Sequence, residues 1–211
     1  MSKSTRTKKT WAAAAALAML AGCAAVAPEV ATWNIPPPGS TWQTVQRNTG
    51  SYGKDAELQI TRGNGVWQGM PAVEIKSTAG MTIVATNDGR WYGILGRDGK
   101  PFVTYDPPIG FLYPLKVGKA WSTHHRMTTV ATGRVTELDY ACKVEAFEQV
   151  TVRAGTFDAF RIACTAPGSQ DTYWSSRDHG MMVKTDFRRT SAHQLGAGTQ
   201  QSELVALNLR K

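Results

Sequence analysis

Long apolar runs, cysteines and catalytic motifs are all scarce in this sequence. Its alanine- and leucine-rich run covers residues 11–20, well short of the roughly 20 residues that a membrane-spanning helix needs. There are three cysteines, and no two have the C-x-x-C spacing of a redox pair. The nucleophile elbow G-x-S-x-G, the P-loop and H-E-x-x-H do not occur. The sequence therefore disfavours a spanning helix, a thiol oxidoreductase and the commonest hydrolases, and we predict that the protein is not an enzyme.

The N-terminus has the pattern of an export signal. Four basic residues and no acid occupy residues 1–10, and the short apolar run that follows ends in LAGC at Leu20 to Cys23. This arrangement is typical of a cleaved signal peptide over residues 1–22. A cysteine directly after small residues resembles the bacterial lipoprotein family. An ordinary secretory signal, in which Cys23 is incidental, is the alternative.

The lipoprotein resemblance implies a lipidated Cys23, cleavage before it and acylation of the new amine. Two or more acyl chains make membrane attachment stable. Within that family an aspartate after the cysteine retains the protein at the inner membrane, whereas here Ala24 follows. The resemblance thus implies the outer membrane of a Gram-negative bacterium, with the protein facing the periplasm.

Removal of the signal changes the charge of the chain. The mature chain would keep 20 basic and 16 acidic residues, a net charge of +4 rather than the +8 of the full sequence. No dense run of lysine and arginine follows Cys23, so no nucleic-acid partner is predicted. The predicted partners are the membrane, through the acyl chains, and either another envelope protein or an apolar ligand.

Beyond Cys23 the chain divides into a proline-rich segment and one domain. Residues 23–38 contain Pro28, Pro36, Pro37 and Pro38 and no strand or helix pattern, which predicts an extended tether. Residues 39–211 form a single β-rich domain, because one domain is the default for this length. Within it, glycine-containing turn signals at 63–65, 87–89, 98–99 and 178–180 separate short apolar segments at 81–86, 91–95, 127–131 and 203–209.

These patterns predict an all-β fold. We expect an antiparallel β-clam or sandwich of about ten to twelve strands. A G-x-x-W motif occurs before Trp42 and again before Trp121, and each half ends in an aromatic pair, WY at 91–92 and YW at 173–174. A possible internal duplication with an offset of about 80 residues follows from these repeats.

Cys142 and Cys164 are the two cysteines left after lipidation. An even pair in an oxidising compartment predicts a disulfide. A turn at 153–156 would pair Val150 with Thr156 and thereby place Cys142 opposite Cys164 on one face of a hairpin. Two buried free thiols are the alternative.

The second half of the domain carries a further resemblance. The runs EQVTVRAGTF at 148–157, YW at 173–174, GMMVK at 180–184 and YPLKVGKAW at 113–121 are similar to a family of uncharacterised bacterial periplasmic β-proteins with the motif V-x-V-x-A-G-x-F. The resemblance covers roughly residues 111–187. It implies an antiparallel clam-like fold without an established activity. It also implies a turn conformation at Gly155 and core positions for Phe157 and Trp174.

Candidate catalytic and metal-ligating residues are few. His124 and His125 are adjacent in a strand-like run, so one should point inward and the other to solvent, and no metal site or cofactor is predicted. Ser175, Asp178 and His179 could be drawn as a hydrolase, but triads are assembled by the fold rather than by sequence-local residues.

Two functions from different classes remain. The first is a structural or protein-interaction role in the cell envelope. The second is a carrier or binding module for a lipid or other apolar ligand, in a possible apolar cleft of Trp67, Trp91, Trp121 and Trp174. Core filling is the alternative role for these tryptophans.

Overall fold

The computed structural model describes residues 28–30 and 32–210, so the predicted signal peptide and Cys23 lie outside the described residues. The strands are β1 (Thr41–Gly50), β2 (Ala56–Trp67), β3 (Met70–Ser77), β4 (Thr82–Ala85), β5 (Trp91–Leu95), β6 (Pro101–Ile109), β7 (Ala120–Thr129), β8 (Arg134–Val152), β9 (Gly155–Ala166), β10 (Ser169–Ser176), β11 (Met182–Arg189) and β12 (Gly198–Asn208). A 3-10 turn, Val130–Thr132, follows β7.

The twelve strands form one closed antiparallel barrel. Each strand pairs with its neighbours in sequence, and β1 pairs with both β2 and β12, which closes the ring. The prediction of an all-β antiparallel fold with ten to twelve strands is therefore confirmed. The prediction of a clam or sandwich is corrected to a closed barrel, because the β1–β12 pairing leaves no free sheet edge.

One predicted turn is instead part of a strand. Residues 63–65 lie inside β2, and Gly63 and Gly65 pair with Glu74 and Ala72 of β3. A methyl group on Gly65 would lie 2.4 Å from Oε1 of Glu74. These glycines thus make room for a side chain of the neighbouring strand rather than for a change of direction.

Strands β7 and β8 alternate between an inner and an outer face. His125 is 2% exposed and faces the lumen, whereas the side chain of its neighbour His124 is 60% exposed on the outside. The predicted division of the two histidines is confirmed. The same alternation directs Tyr140, Cys142 and Val144 of β8 inward.

Two apolar clusters fill parts of the interior. The first lies on the wall of β7 to β10 and contains Tyr140, Cys142, Phe160, Ile162 and Cys164. The second joins the wall of β1, β11 and β12 to the tip of the β8–β9 hairpin, with the members Trp42, Val150, Val152, Ala159, Met181, Val183 and Leu204.

The β8–β9 hairpin carries the predicted disulfide. Cys142 and Cys164 are cross-strand partners and are bonded. At the tip of the hairpin, however, Val150 lies opposite Phe157 rather than the predicted Thr156. A bulge between Val144 and Ala146 shifts the pairing by one residue, so that the pairing at the cysteines is the predicted one. Extra residues of this kind bend a strand, which fits a tip where the backbone N–H of Ala154 donates to the carbonyl of Leu204 on β12.

The barrel has two distinct ends. Turns after the even-numbered strands β2 to β10 lie at one end, here called the strap end, and turns after the odd-numbered strands lie at the other, the far end. The two G-x-x-W motifs occupy equivalent places, since Gly39 and Gly118 both have positive φ just before β1 and β7, six strands apart. Trp91 and Trp174 lie on β5 and β10, which are not six strands apart. The internal duplication stays a prediction.

Candidate functional site

The proline-rich segment lies against the strap end of the barrel. Residues 28–30 and 32–38 are called the strap. Val30 and Leu115 exchange both backbone hydrogen bonds, at 2.9 and 2.8 Å, in the loop between β6 and β7. The side-chain amide of Asn34 donates to the carbonyl of Asp178 at 2.6 Å. This finding differs from the extended tether predicted over these residues, and residues 23–27 of that segment lie outside the described residues.

Trp33 is the central contact of the strap. Its indole N–H donates to the carbonyl of Gly180 at 2.8 Å. A methyl group on Gly89 would lie 2.7 Å from Cδ2 of the indole, and one on Gly180 would lie 2.8 Å from Cδ1. Gly89 is in the β4–β5 turn and Gly180 in the β10–β11 turn, six strands apart in a ring of twelve. Opposite walls of the barrel therefore meet across a single indole ring.

A cleft of about 670 Å³ opens beside Trp33. Its two cationic side chains already have partners. Arg90 pairs with the carboxylate of Asp88 at 2.9 Å, and the ammonium of Lys119 donates to the carbonyls of Leu112 and Pro114. Asp88 therefore neutralises Arg90, whereas the charge of Lys119 is held by carbonyl oxygens and not cancelled. The lining residues are Thr32, Trp33, Asn87, Asp88, Arg90, Phe111, Leu112, Tyr113 and Lys119.

A row of inward-facing side chains crosses seven strands. Each member is the cross-strand partner of the next, so all share the face of the buried disulfide. From β7 to β12 and on to β1 the row consists of Trp121, Cys142, Cys164, Asp171, Phe187, Gln200 and Asn48. Along this row the polar side chains begin at Asp171 and continue with Gln200 and Asn48, with Phe187 between them.

Asp171 and Arg189 place opposite charges in the polar half of the lumen. Burial raises the pKa of the Asp171 carboxyl to about 6, and the positive charge of Arg189 opposes that rise. The guanidinium carbon of Arg189 lies 3.8 Å from the centre of the Tyr52 ring. Both Asp171 and Arg189 are half-buried, so they face a space that solvent reaches.

Four tyrosines surround these two charges. Burial raises the pKa of Tyr105 to about 12, and burial is also the largest cause of the raised pKa values of Tyr52, Tyr140 and Tyr173. The negative charge of Asp171 adds to the rise in each case. The hydroxyl of Tyr140 donates to that of Tyr173 at 3.3 Å. All four hydroxyls are therefore protonated at neutral pH, and the protons of Tyr52, Tyr105 and Tyr173 are not committed to Tyr140.

The four tryptophans of the predicted cleft lie in different packing environments, apart from Trp91 and Trp121, which share one cluster. Trp91 and Trp121 pack against the first apolar cluster, and Trp174 packs against the second. Trp67 stacks on Tyr92, with ring centres 5.8 Å apart. The indole N–H of Trp174 donates to Glu148 at 2.7 Å. These rings serve mainly as packing between strands.

The residues that resembled a hydrolase triad also have other roles. The carboxylate of Asp178 accepts from Arg177 at 2.7 Å, and the backbone N–H of His179 donates to Ser176. Ser175 is buried. Within residues 28–30 and 32–210, no group of three histidine, cysteine or carboxylate side chains could hold a metal ion.

Sequence reasoning missed the charged group in the lumen. Asp171 and Arg189 lie 18 positions apart in the sequence and are assembled by the pairing of β10 with β11, where Ser169 lies opposite Arg189. The available signal was Asp171 itself, an acidic residue within a strand whose side chains alternate between the two faces. Its position in the lumen could be recognised only once the inner face of β10 was known.

Comparisons with known proteins find only weak structural similarity. No family model and no curated protein matches the chain. Three solved structures have a partly similar backbone arrangement. A proposed lipoprotein of Parabacteroides distasonis has 12% identity and a TM-score of 0.43, over 84% of this chain and 99% of the other. The hypothetical lipoprotein YmcC of Escherichia coli has 13% sequence identity and a TM-score of 0.43, over 80% of this chain and 84% of the other.

The third structure is an exported protein of Bacteroides fragilis with a YmcC-like fold. It has 12% identity and a TM-score of 0.42, over 84% of this chain and 99% of the other. Similarity at this level assigns neither a fold family nor a function to the chain. In the described part of the chain, no helix is both long and apolar enough to cross a membrane.

Proposed function

We propose that the protein is a lipid-anchored envelope protein that holds the strap end of its barrel close to the outer membrane. The docked strap is the observation that supports this proposal. With Val30 and Trp33 fixed to the barrel, only the four residues 24–27 lie between the lipidated Cys23 and the start of the strap at residue 28, which is five residue steps away. Five extended residues reach about 17 Å, so the strap end faces the lipid and the far end faces the periplasm.

The role that this orientation favours is a structural or protein-interaction role without catalysis. The far end carries four exposed apolar side chains, two in the β7–β8 and β11–β12 connections and two at the starts of β6 and β8: Val130, Leu195, Phe102 and Val135. Exposed apolar side chains gathered on one face of a soluble domain are candidate interaction sites, although Val66, Met70 and Val117 are also exposed at the strap end. The four far-end residues would meet another envelope component on the side away from the membrane.

Fractionation of cells tests the anchor. The native chain is expected in the outer-membrane fraction. The Cys23→Ser variant is expected either in the soluble periplasmic fraction or as the uncleaved precursor, and its mass should show no added acyl chains. A Ser51→Cys variant on the far-end β1–β2 turn, labelled with a lipid-quenched fluorophore, should be quenched less than Val117→Cys on the strap-end β6–β7 loop. Equal quenching at both positions would refute the orientation, and a membrane-bound Cys23→Ser would refute the anchor.

A second candidate function is that of a binding module. The half-buried, inward-facing side chains on β10 to β12 and β1 favour it, because side chains that face inward in a closed barrel and still touch solvent leave space for a ligand. Native mass spectrometry of the chain, released gently from membranes, would detect a bound molecule. A reproducible added mass that is lost on denaturation supports this function, and a bare mass argues against it.

A further inference from the structure

We propose that the polar half of the lumen binds a neutral, hydroxyl-rich ligand of the saccharide class, with Asp171 and Arg189 as its main hydrogen-bonding groups. This inference rests on the second candidate function and is independent of lipidation. Tyr52 and Tyr105 complete the site as aromatic and hydroxyl contacts.

The first observation is that several polar groups in the lumen lack partners. In the described part of the chain, neither the Asp171 carboxylate nor the Arg189 guanidinium has a hydrogen bond or an ion pair within 4 Å, and the guanidinium carbon of Arg189 lies 3.8 Å from the centre of the Tyr52 ring. Charged groups in protein interiors are normally paired or hydrogen-bonded. An ionised acceptor and a five-proton donor are therefore left free on one wall.

The second observation is the balance of charge. Asp171 and Arg189 cancel each other, and the remaining inward-facing groups on the adjacent strands are uncharged: Gln46, Asn48, Thr185, Gln200 and Ser202. Several of these already bond to each other, as the hydroxyls of Thr185 and Ser202 do at 2.6 Å. A lining of this kind has no excess charge to attract an anion. An acyl chain would displace water from these polar groups without offering them hydrogen bonds in return. Hydroxyl groups, which donate and accept, match it best.

The third observation is the supply of aromatic surface beside the charges. Tyr173 packs at 5.0 Å from Phe187 and 5.1 Å from Phe111, and Phe187 lies opposite Asp171 in the cross-strand row. Aromatic faces pack against the apolar side of a ring while polar groups at their edges bind its hydroxyls. The lumen therefore presents both surfaces that a sugar ring needs.

The proposed site lies at the far end of the barrel, where Gln194 of the β11–β12 connection reaches Met127 of β7. Asp171 is the third residue of β10, which begins at that end, and Arg189 is the last residue of β11, which finishes there. Tyr52 belongs to the β1–β2 turn at the same end. Trp33 and the strap close the opposite end. A ligand would enter from the side that faces the periplasm in the proposed orientation.

Titration calorimetry and saturation-transfer NMR on the full acylated chain, in zwitterionic detergent micelles, test the site. The probes are maltohexaose, cellohexaose and chitohexaose as neutral saccharides, sialyllactose as an anionic one and palmitate as an acyl chain. At least one neutral saccharide is expected to bind. Asp171→Asn and Arg189→Met should each weaken that binding about tenfold, which corresponds to the loss of one charge-assisted hydrogen bond.

Matched controls lie on β11, the strand of Arg189 and the neighbour of the strand of Asp171. Asp186→Asn and Arg188→Met change the same residue types on the outer face of β11 and should leave the affinity within about twofold of the native value. Each variant is first checked for native circular dichroism. Binding of palmitate but of no saccharide would overturn the proposal, as would equal affinities for Asp171→Asn and Asp186→Asn or no saccharide binding at about 10 mM. The same titration on Cys23→Ser separates this result from a failure of the anchor.

Discussion

Cys164 and Asp171 lie directly opposite each other on β9 and β10, with a disulfide sulfur on one strand and a carboxylate on the next. Both face the lumen. A disulfide donates no hydrogen bond, so the neighbour of Asp171 removes water from the carboxylate without replacing its solvation. Burial therefore dominates the titration of Asp171, and its pKa rises to about 6.

Asp171 should make the protein less stable as the pH rises. Since its pKa is near 3.9 in the unfolded chain and about 6 in the folded one, the folded state binds more protons between these values. The free energy of unfolding should accordingly fall from about pH 4 to pH 6 and level off above that. Asp171→Asn removes the fall and should stabilise the protein at pH 7.5 by on the order of 2 kcal/mol relative to its effect at pH 4.

Urea unfolding of the native chain and Asp171→Asn at pH 4 and 7.5 measures this difference. Asp186→Asn, on the outer face of β11, is the control and should show no comparable gain. If the two variants behave alike, the Asp171 carboxyl is not desolvated in the folded barrel.

The disulfide should contribute substantially to stability. It joins residues 22 positions apart in the sequence, and closing a loop of that size is worth about 3 kcal/mol in the loop-entropy model. The double variant Cys142→Ser/Cys164→Ser should unfold at correspondingly lower urea concentration. The native chain treated with a reductant is the matched comparison. An unchanged midpoint in both would show that the bond constrains little of the unfolded chain.

His124 should give a small stabilisation that disappears in alkaline solution. Its ring nitrogens lie 2.8 Å from Asp139 and 2.9 Å from Glu137 on β8, and these two hydrogen bonds raise its pKa. Because the pKa is raised on folding, protonated His124 stabilises the folded state fully at pH values below its unfolded-state pKa near 6.5. This stabilisation is lost as the pH rises through its pKa in the folded protein. His124→Gln should thus lower the thermal midpoint at pH 5.5 more than at pH 8.5.

NMR titration of the His124 ring provides a direct measurement. In the native chain its midpoint should lie above that of the Glu137→Gln/Asp139→Asn variant. Coinciding midpoints would mean that the carboxylates do not hold the proton in solution.

Gly89 should tolerate alanine less well than another glycine of the same conformation. Gly89 and Gly53 have φ values of +88° and +80°, so both pay a similar backbone penalty with a side chain. Only at Gly89 does the added methyl group meet Trp33, whereas nothing lies within 4 Å at Gly53. Gly89→Ala should therefore displace the strap and Gly53→Ala should not.

Hydrogen exchange at the amides of Val30 and Leu115 reports on the strap. Gly89→Ala should speed exchange at both, as should Trp33→Ala, because the Val30–Leu115 pair depends on the docked indole. Equal protection in Gly89→Ala and Gly53→Ala would show that the strap does not depend on this contact.

Local features of the fold could be predicted from the sequence. Turn signals such as 87–89 and 98–99 and the β5 strand at 91–95 match the structure, since they rest on residues a few positions apart. The pairing of Cys142 with Cys164 was predicted with the right partners although the hairpin tip was one residue out of register. A bulge corrected the difference, and bulges have no reliable local signal.

Features that depend on distant pairing could not be predicted. Closure of the ring requires β1 to meet β12, as in the pair Thr41 and Asn208, and no sequence pattern distinguishes that pairing from a sandwich with free edges. The strap was predicted as a tether because prolines favour extended chain, yet Trp33 is held by turns far away in the sequence. The charges of Asp171 and Arg189 become a group only once β10 and β11 are paired.

The position of Trp33 also determines when the strap can dock as the chain is made. Its hydrogen-bond partner Gly180 follows 147 residues later in the chain, and Leu115 follows Val30 by 85. For the lipid-anchored protein proposed above, Cys23 would emerge and be available for acylation well before either partner has been made. Contacts of such sequence separation form late, so the proposed anchor would be in place before the strap docks.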